Sequence, residues 1–355
     1  MKKKESTKRS KVVVVGAGSF GTALATTLSD QGHHVTLLAR DATIVEAINT
    51  HHENPRYLRG VTLPDSLRAK SYDEGIDDGD QVIVLAVPTH AMRQTCQWIA
   101  PKLTSTTMLL HVTKGFEEAT GYRMSQVIEE ECPFVPRENL VVVSGPSHAE
   151  ELSRRMPTTL VAASRSKKTA EFVQDLFMHR YLRVYTNPDV IGTEVGGSLK
   201  NIIALGCGIS DGLQYGDNAK AALMTRGLVE ITRLGVALGA DYNTFSGLTG
   251  TGDLIVTCTS KHSRNWQAGY LLGQGLSLDE ALRQVGMVVE GVKTTPTALR
   301  LAEQHRVHLP IAAAINAVLF QQKSPKEAVA DLMLRSKKHE VEEYVHESSA
   351  SWQYP

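Results

Sequence analysis

Four β-branched residues, Val12-Val13-Val14-Val15, run straight into Gly16-Ala17-Gly18-Ser19-Phe20-Gly21 and then into Thr22 to Leu28, a stretch of good helix formers. A strand without polar alternation is buried on both faces, as in a parallel sheet covered by helices. G-x-G-x-x-G between such a strand and a helix is the dinucleotide fingerprint. Gly16 allows the tight turn, Gly18 lets the backbone approach a pyrophosphate, and Gly21 lets the helix pack closely on the strand. The pyrophosphate then rests on unpaired N–H groups at a helix N-terminus. Glycines at this spacing elsewhere in a chain would mean only a turn; the flanking strand and helix give them their chemical meaning.

Further strand-like runs follow at His34 to Ala39, Gln81 to Val87, Met108 to Val112, Leu140 to Val143, Thr159 to Ala163 and Tyr181 to Tyr185. Helical segments separate them, one from Lys167 to Phe177. The alternation predicts an α/β fold, a Rossmann-type doubly wound sheet. The second run ends at Arg40-Asp41, where the signals are mixed. An acid at this position takes the ribose of NAD, whereas an arginine accommodates the 2′-phosphate of NADP or stacks on adenine. A solvated surface arginine is the bland alternative. NADP is therefore expected to be accepted as well as NAD. Pro88 closes the next run, where the nicotinamide side would lie.

From Asn187-Pro188 onward the patterning is helical throughout, at about 188–212, 218–239, 262–273, 279–286, 293–305, 311–321 and 325–335. Asn187 reads as a helix cap with Pro188 in the first turn. Ser277 with Glu280 and Ser324 with Glu327 form capping boxes. The expected organisation is a dinucleotide-binding domain over 11–187 and an all-helical substrate domain over 188–339. A basic leader (1–10) and a tail (340–355) flank them, both expected to be disordered. The glycines of the first helix, Gly192 to Gly212, predict close approach of another backbone.

At 355 residues the chain accommodates two cores, and its net charge of zero argues against a dedicated nucleic-acid binder. No apolar run reaches the roughly 18 residues of a membrane span. No apolar stretch follows the basic leader as a signal peptide would require. The four cysteines, Cys96, Cys132, Cys207 and Cys258, are scattered without C-x-x-C, so neither a zinc site nor a disulfide framework is expected. That usage fits a reducing, cytoplasmic compartment. His33-His34 reads as a solvated turn rather than a metal site.

Three stretches place polar residues where packing would favour apolar ones. Gly197-Ser198-Leu199-Lys200-Asn201 lies inside the glycine-rich helix, where a lysine would ordinarily snorkel to solvent. Gly247-Leu248-Thr249-Gly250-Thr251-Gly252-Asp253 suggests a loop with exposed N–H groups before an acid. Ser263-Arg264-Asn265 offers a hydroxyl, a guanidinium fork and an amide, a set suited to phosphate or carboxylate, or else an exposed basic helix start.

Taken together and in order, G-x-G-S-F-G, L-A-R-D, V-x-P, T-K-G, S-G-P-S-x-A-E-E, G-G-S-L-K-N, G-x-x-G-x-G-D-L, S-R-N and V-V-E-G resemble the bacterial NAD(P)-dependent sn-glycerol-3-phosphate dehydrogenase family over about residues 11–335. The resemblance implies reduction of dihydroxyacetone phosphate to sn-glycerol 3-phosphate, the phospholipid backbone, by a homodimer. It implies Lys200 as acid/base, Lys114 binding substrate and cofactor, and Asp253 orienting Lys200 and holding a substrate hydroxyl. Ser263, Arg264 and Asn265 would take the substrate phosphate, and Gly145 and Ser147 would line the substrate. Cofactor positions would be Gly16, Gly18, Ser19, Phe20, Gly21, Arg40, Ala149, Arg264, Val288 and Glu290, with no metal. His148 has no fixed role in that pattern. A hydroxyacid or ketopantoate-type reductase sharing these halves is the alternative, as is a protein that binds NAD(P) without turnover.

Overall fold

The structure is a computed structural model that describes residues 9–77, 82–337 and 340. The expected disorder of the leader and tail therefore falls almost wholly outside the described residues. Strands and helices alternate through the first half: β1 (Lys11–Val15), α1 (Ser19–Asp30), β2 (His34–Ala39), α2 (Ala42–His51), β3 (Arg68–Ser71), β4 (Val82–Leu85), α3 (Met92–Ile99), β5 (Met108–His111), α4 (Met124–Glu131), β6 (Leu140–Ser144), α5 (Ala149–Ser153), β7 (Thr158–Ala163), α6 (Lys167–Phe177) and β8 (Leu182–Asn187). They form one eight-stranded sheet in the order β3-β2-β1-β4-β5-β6-β7-β8. Every neighbouring pair is parallel except β6 and β7, where Val143 faces Ala162. Val12 to Val15 sit at the centre between β2 and β4, 0–3% exposed, because the all-valine strand has helices on both faces.

The sheet order reverses between β1 and β4, so the carboxyl ends of these strands frame a crevice, the usual place for a ligand in an open α/β sheet. β1 gives way to Gly16, whose φ of +112° belongs to a glycine. A Cβ on Gly21 would lie 2.0 Å from the Gly16 carbonyl oxygen, so α1 could not approach the strand with any side chain there.

Beyond β8 the described residues are helical: α7 (Val190–Gly212), α8 (Gly216–Ala237), a π-helical turn (Leu248–Gly252), α9 (Asp253–Thr259), α10 (Arg264–Gly273), α11 (Leu278–Val285), α12 (Glu290–Gln304), α13 (Pro310–Phe320) and α14 (Pro325–Met333). α7 is the axis of this half, buried from Gly192 to Ser210. Its glycines meet those of α10: a Cβ on Gly208 would lie 2.1 Å from the Trp266 carbonyl, and one on Gly269 equally near that of Leu205. Both predicted capping boxes are present.

Three local readings need correction. α7 is capped by Asp189, which accepts from Gly192 N–H at 2.8 Å, and Asn187 instead accepts from Asp189 N–H at the end of β8. The glycine-rich stretch before Asp253 is a helical turn with Thr249 and Gly250 buried, not an open loop. His33 is not a solvated turn residue: it is 5% exposed, its Nδ1 accepting from Ser10 N–H and its Nε2 lying 3.2 Å from the Leu176 carbonyl.

Candidate active site

α1 begins at Ser19 with Gly18 as its cap, and neither a capping side chain nor an acid in the first turn occupies its free N–H groups. Nothing lies within 4 Å of where a Gly18 Cβ would stand. An open backbone with uncapped donors fits a pyrophosphate. Ser19 is anchored by its hydroxyl to the Tyr57 carbonyl at 2.7 Å, and Phe20 packs against the sheet core. At the adenosine end, the Arg40 guanidinium lies 5.5 Å over the Tyr72 ring, itself stacked on Trp98 at 4.9 Å. Asp41 is committed to capping α2, accepting from the Thr43 N–H and hydroxyl, with Arg56 3.6 Å away. The acid that would select against a 2′-phosphate is thus held by the helix start, and cations surround the position.

Glu290, the first residue of α12, accepts a hydrogen bond from the Thr89 hydroxyl at 3.0 Å. This brings the Val288–Glu290 segment to the edge just beyond β4, next to Pro88. Burial holds the Glu290 carboxyl above its usual range, against the opposing Thr89 bonds. Ala149, buried, opens α5 on the same side of the sheet.

Where the two halves meet, Asp253 is 1% exposed at the start of α9 and receives two lysines on opposite oxygens. Lys114, three residues beyond β5, donates to Oδ2 at 2.7 Å and to the Gly145 carbonyl at 3.2 Å. Lys200, from the middle of α7, donates to Oδ1 and to the Thr257 hydroxyl, the latter at 2.7 Å. Lys200 is 6% exposed and does not snorkel. Gly197 makes the meeting possible, since a Cβ there would press on Ser144 Oγ at 2.9 Å and crowd the Lys114 stem. The Ser147 hydroxyl donates to the same Gly145 carbonyl at 3.0 Å.

The electrostatics follow from two cations sharing one anion. Burial lowers Lys200 to about 7; the Asp253 carboxylate opposes that fall and the Lys114 ammonium adds to it. Burial would raise the Asp253 carboxyl, but the charges of Lys114 and Lys200 outweigh it and hold it below the usual range. Lys200 can therefore give up or take a proton near neutrality, as acid/base chemistry requires. Burial also lowers His148, with the Lys200 charge adding to the effect, and its Nε2 lies 3.4 Å from the Val256 carbonyl.

The Ser263-Arg264-Asn265 trio divides its work. Ser263 caps α10 by accepting from Trp266 N–H at 3.2 Å. Asn265 is buried, donating to the Asn201 side chain at 3.0 Å and accepting from Gly291 N–H at 2.8 Å, which fixes α10 to α7 and α12. Only Arg264 is exposed at the N-terminus of α10, where the first backbone N–H groups add to its charge. Sequence reasoning missed Thr257, whose hydroxyl holds Lys200 and donates to the Asp253 carbonyl at 2.6 Å. Its spacing of four from Asp253 on one helix was the available signal.

Two family models match the chain, the NAD-dependent glycerol-3-phosphate dehydrogenase N-terminus over residues 11–170 and the C-terminus over 189–330. The glycerol-3-phosphate dehydrogenase [NAD(P)+] of Listeria innocua is 55% identical over 335 residues, 94% of this chain and 99% of that protein. The Bacillus cereus protein of the same name is 55% identical over 333 residues, 94% of this chain and 98% of its own. A crystal structure of glycerol-3-phosphate dehydrogenase from Coxiella burnetii superposes with a TM-score of 0.86 at 34% identity, covering 92% of this chain and 99% of that one. D-mandelate dehydrogenase, at 14% identity and a TM-score of 0.60, shares the fold alone. With the fingerprint, the paired lysines and these likenesses in agreement, the chain belongs to the NAD-dependent glycerol-3-phosphate dehydrogenase family.

Proposed function

We propose that the chain catalyses the reversible reduction of dihydroxyacetone phosphate to sn-glycerol 3-phosphate with NADH or NADPH, a reaction that supplies the phospholipid backbone. The observation that carries this reading is the placement of Lys114 and Lys200 on opposite oxygens of the buried Asp253, beside the sheet crevice. A nicotinamide held in the crevice would supply the hydride chemistry, and the chain's own residues bind the substrate and handle the proton. Lys200 donates a proton from Nζ to the carbonyl oxygen as that oxygen gains charge, and takes it back in the oxidative direction. Lys114 stabilises the same developing charge, and Asp253 orients both ammonium groups and accepts a bond from a substrate hydroxyl. Arg264, Ser263 and Asn265, with the N-terminal amides of α10, take the phosphate, and the bonds of Ser263 to Trp266 N–H and of Asn265 to Asn201 hold that helix start in place. Gly145 and Ser147 line the substrate, beside Lys114.

Gly16, Gly18, Ser19, Phe20 and Gly21 cradle the cofactor's pyrophosphate end, Arg40 its adenosine end, and Ala149, Val288, Glu290 and Arg264 the nicotinamide half. The four cysteines are free and buried, which supports a cytoplasmic setting. Among the described residues no helix is long and apolar enough to cross a membrane. The motif resemblance extends to a homodimer, to be tested by light scattering. Oxidation of NADH and NADPH with dihydroxyacetone phosphate, followed by the loss of reduced-nicotinamide absorbance, tests the activity. Lys200→Ala should abolish turnover with cofactor affinity nearly intact; undiminished hydride transfer in that variant would remove Lys200 from its role.

A further inference from the structure

Glu194 lies on α7 six residues before Lys200, and the chemistry above makes no use of it. It is 5% exposed, and four groups from two other segments converge on its carboxylate. The Ser125 N–H donates to Oε1 at 2.7 Å and the Ser125 hydroxyl to Oε2 at 2.6 Å. Arg123 donates through Nη1 to Oε2, and His111 Nε2 lies 3.2 Å from Oε1. Arg123 and Ser125 form the start of α4, so Glu194 also meets the positive end of that helix. His111 ends β5, three residues before Lys114.

A buried ion pair contributes little net stability compared with well-packed apolar residues, so its energetic value alone does not account for this cluster. What it does geometrically is tie α7, which carries Lys200, to the end of β5, which leads to Lys114. Inside the site the hydrogen bonds that link those lysines run through Asp253, on a third element. A substrate oxygen that draws the ammonium groups off Asp253 weakens that link as the reaction proceeds. We propose that Glu194 is a positioning residue, a remote clamp that sets the separation of Lys114 and Lys200 while Asp253 exchanges its bonds for those of the substrate. The clamp stays charged: burial pushes the carboxyl up, but the His111 bond and the Arg123 cation outweigh it and hold it at about 2.

The inference rests on Lys200 as the proton donor, and its test separates the two claims. Glu194→Gln keeps the shape and an acceptor for Ser125 N–H but removes the charge facing Arg123 and His111. Loosening the clamp lets Lys114 recede, and its charge then depresses Lys200 less. The pH limb of glycerol 3-phosphate oxidation should move to higher pH, and kcat should fall about 10- to 100-fold, the cost of a displacement of about 1 Å in a reacting group. None of the groups facing Lys200, namely Asp253, Thr257 and Cys258 of α9, Lys114 and His148, is itself substituted in this variant, so the shift reports the position of Lys114. Cofactor affinity, read by quenching of protein fluorescence, should change less than about twofold, because α1 is untouched. An unchanged kcat and pH limb, with only a lower urea midpoint, would overturn the clamp while leaving Lys200 in place. Activity surviving in Lys200→Ala would instead overturn the acid assignment. Should Glu194→Gln fail to fold, Ser125→Ala removes one hydroxyl from the carboxylate and should lower kcat about 3- to 10-fold with the same direction of pH shift. No change in either quantity would refute the proposal.

Discussion

Gly196 stands one turn before Lys200 on α7, against the π-helical turn that delivers Asp253. A Cβ at this position would lie 2.5 Å from the Thr249 carbonyl oxygen, whereas ordinary contact begins at 3.4 Å. The obstruction is backbone and cannot swing aside, so Gly196→Ala must part the two segments by about 1 Å. Thr249 is four residues ahead of Asp253 in a continuous helical run, and the carboxylate moves with it. A displacement of that size in a catalytic group costs on the order of 100-fold in kcat, about 2.7 kcal/mol of barrier. Stability should suffer much less. Alanine gains up to about 1 kcal/mol of helix propensity over glycine, against about 1–3 kcal/mol of overpacking. The variant should remain folded, with a urea midpoint only modestly lowered, and should bind cofactor normally. Steady-state kinetics with dihydroxyacetone phosphate, run beside a urea melt, separate the two effects. A kcat within about threefold of wild type in a stably folded variant would show that this contact does not govern the lysine–aspartate geometry.

Direction of reaction should reverse the pH response. Reduction needs the Lys200 ammonium and should decline as pH rises through about 7, whereas oxidation needs the free amine and should decline as pH falls through the same value; parallel kcat profiles in the two directions would refute this. Glu230, whose carboxylate accepts from the N–H groups of Ile311 and Ala312, is raised by burial from 4.5 to about 7. A carboxyl raised on folding costs stability as pH climbs from its unfolded to its folded value, here about 3 kcal/mol between pH 4.5 and 7. Glu230→Gln should remove that loss, and identical urea-midpoint changes from pH 5 to pH 8 in variant and wild type would contradict it. Arg264→Ala should raise KM for the phosphorylated substrate by about 10- to 100-fold, as loss of a charge-assisted bond does, with a smaller effect on cofactor. An unchanged KM would place the phosphate elsewhere.

What could be read from the chain alone depended on how local the determinant was. The all-valine β1 and its glycines are legible because burial on both faces and the turn are written into ten consecutive residues. β3, Arg68–Ser71, is not, because an edge strand of four mixed residues carries no hydrophobic run. The antiparallel setting of β7 is equally silent, since a buried strand reads the same in either direction. The turn before Asp253 suggested a loop because glycine disfavours helix. Here Gly250 is demanded by the Phe245 backbone, 2.0 Å from where a Cβ would stand. In the site, Lys200, Lys114 and Asp253 were named through the motif resemblance, yet the depth of Lys200 was invisible, because its burial depends on an aspartate 53 residues away. For the same reason the bonds of Asn265 to Asn201 and Gly291 were not legible: those partners lie on other helices.

That long reach in sequence has a consequence for the newly made protein. The Lys114–Asp253 contact spans 139 residues, so the glycine turn after β1 is present in the nascent chain well before the residue that unites the lysines has been synthesised. Until α9 docks, the two ammonium groups have no shared counter-ion and repel one another. Hydride chemistry is thus withheld from every form in which α9 has not yet docked, and competence waits on a contact between residues far apart in the chain.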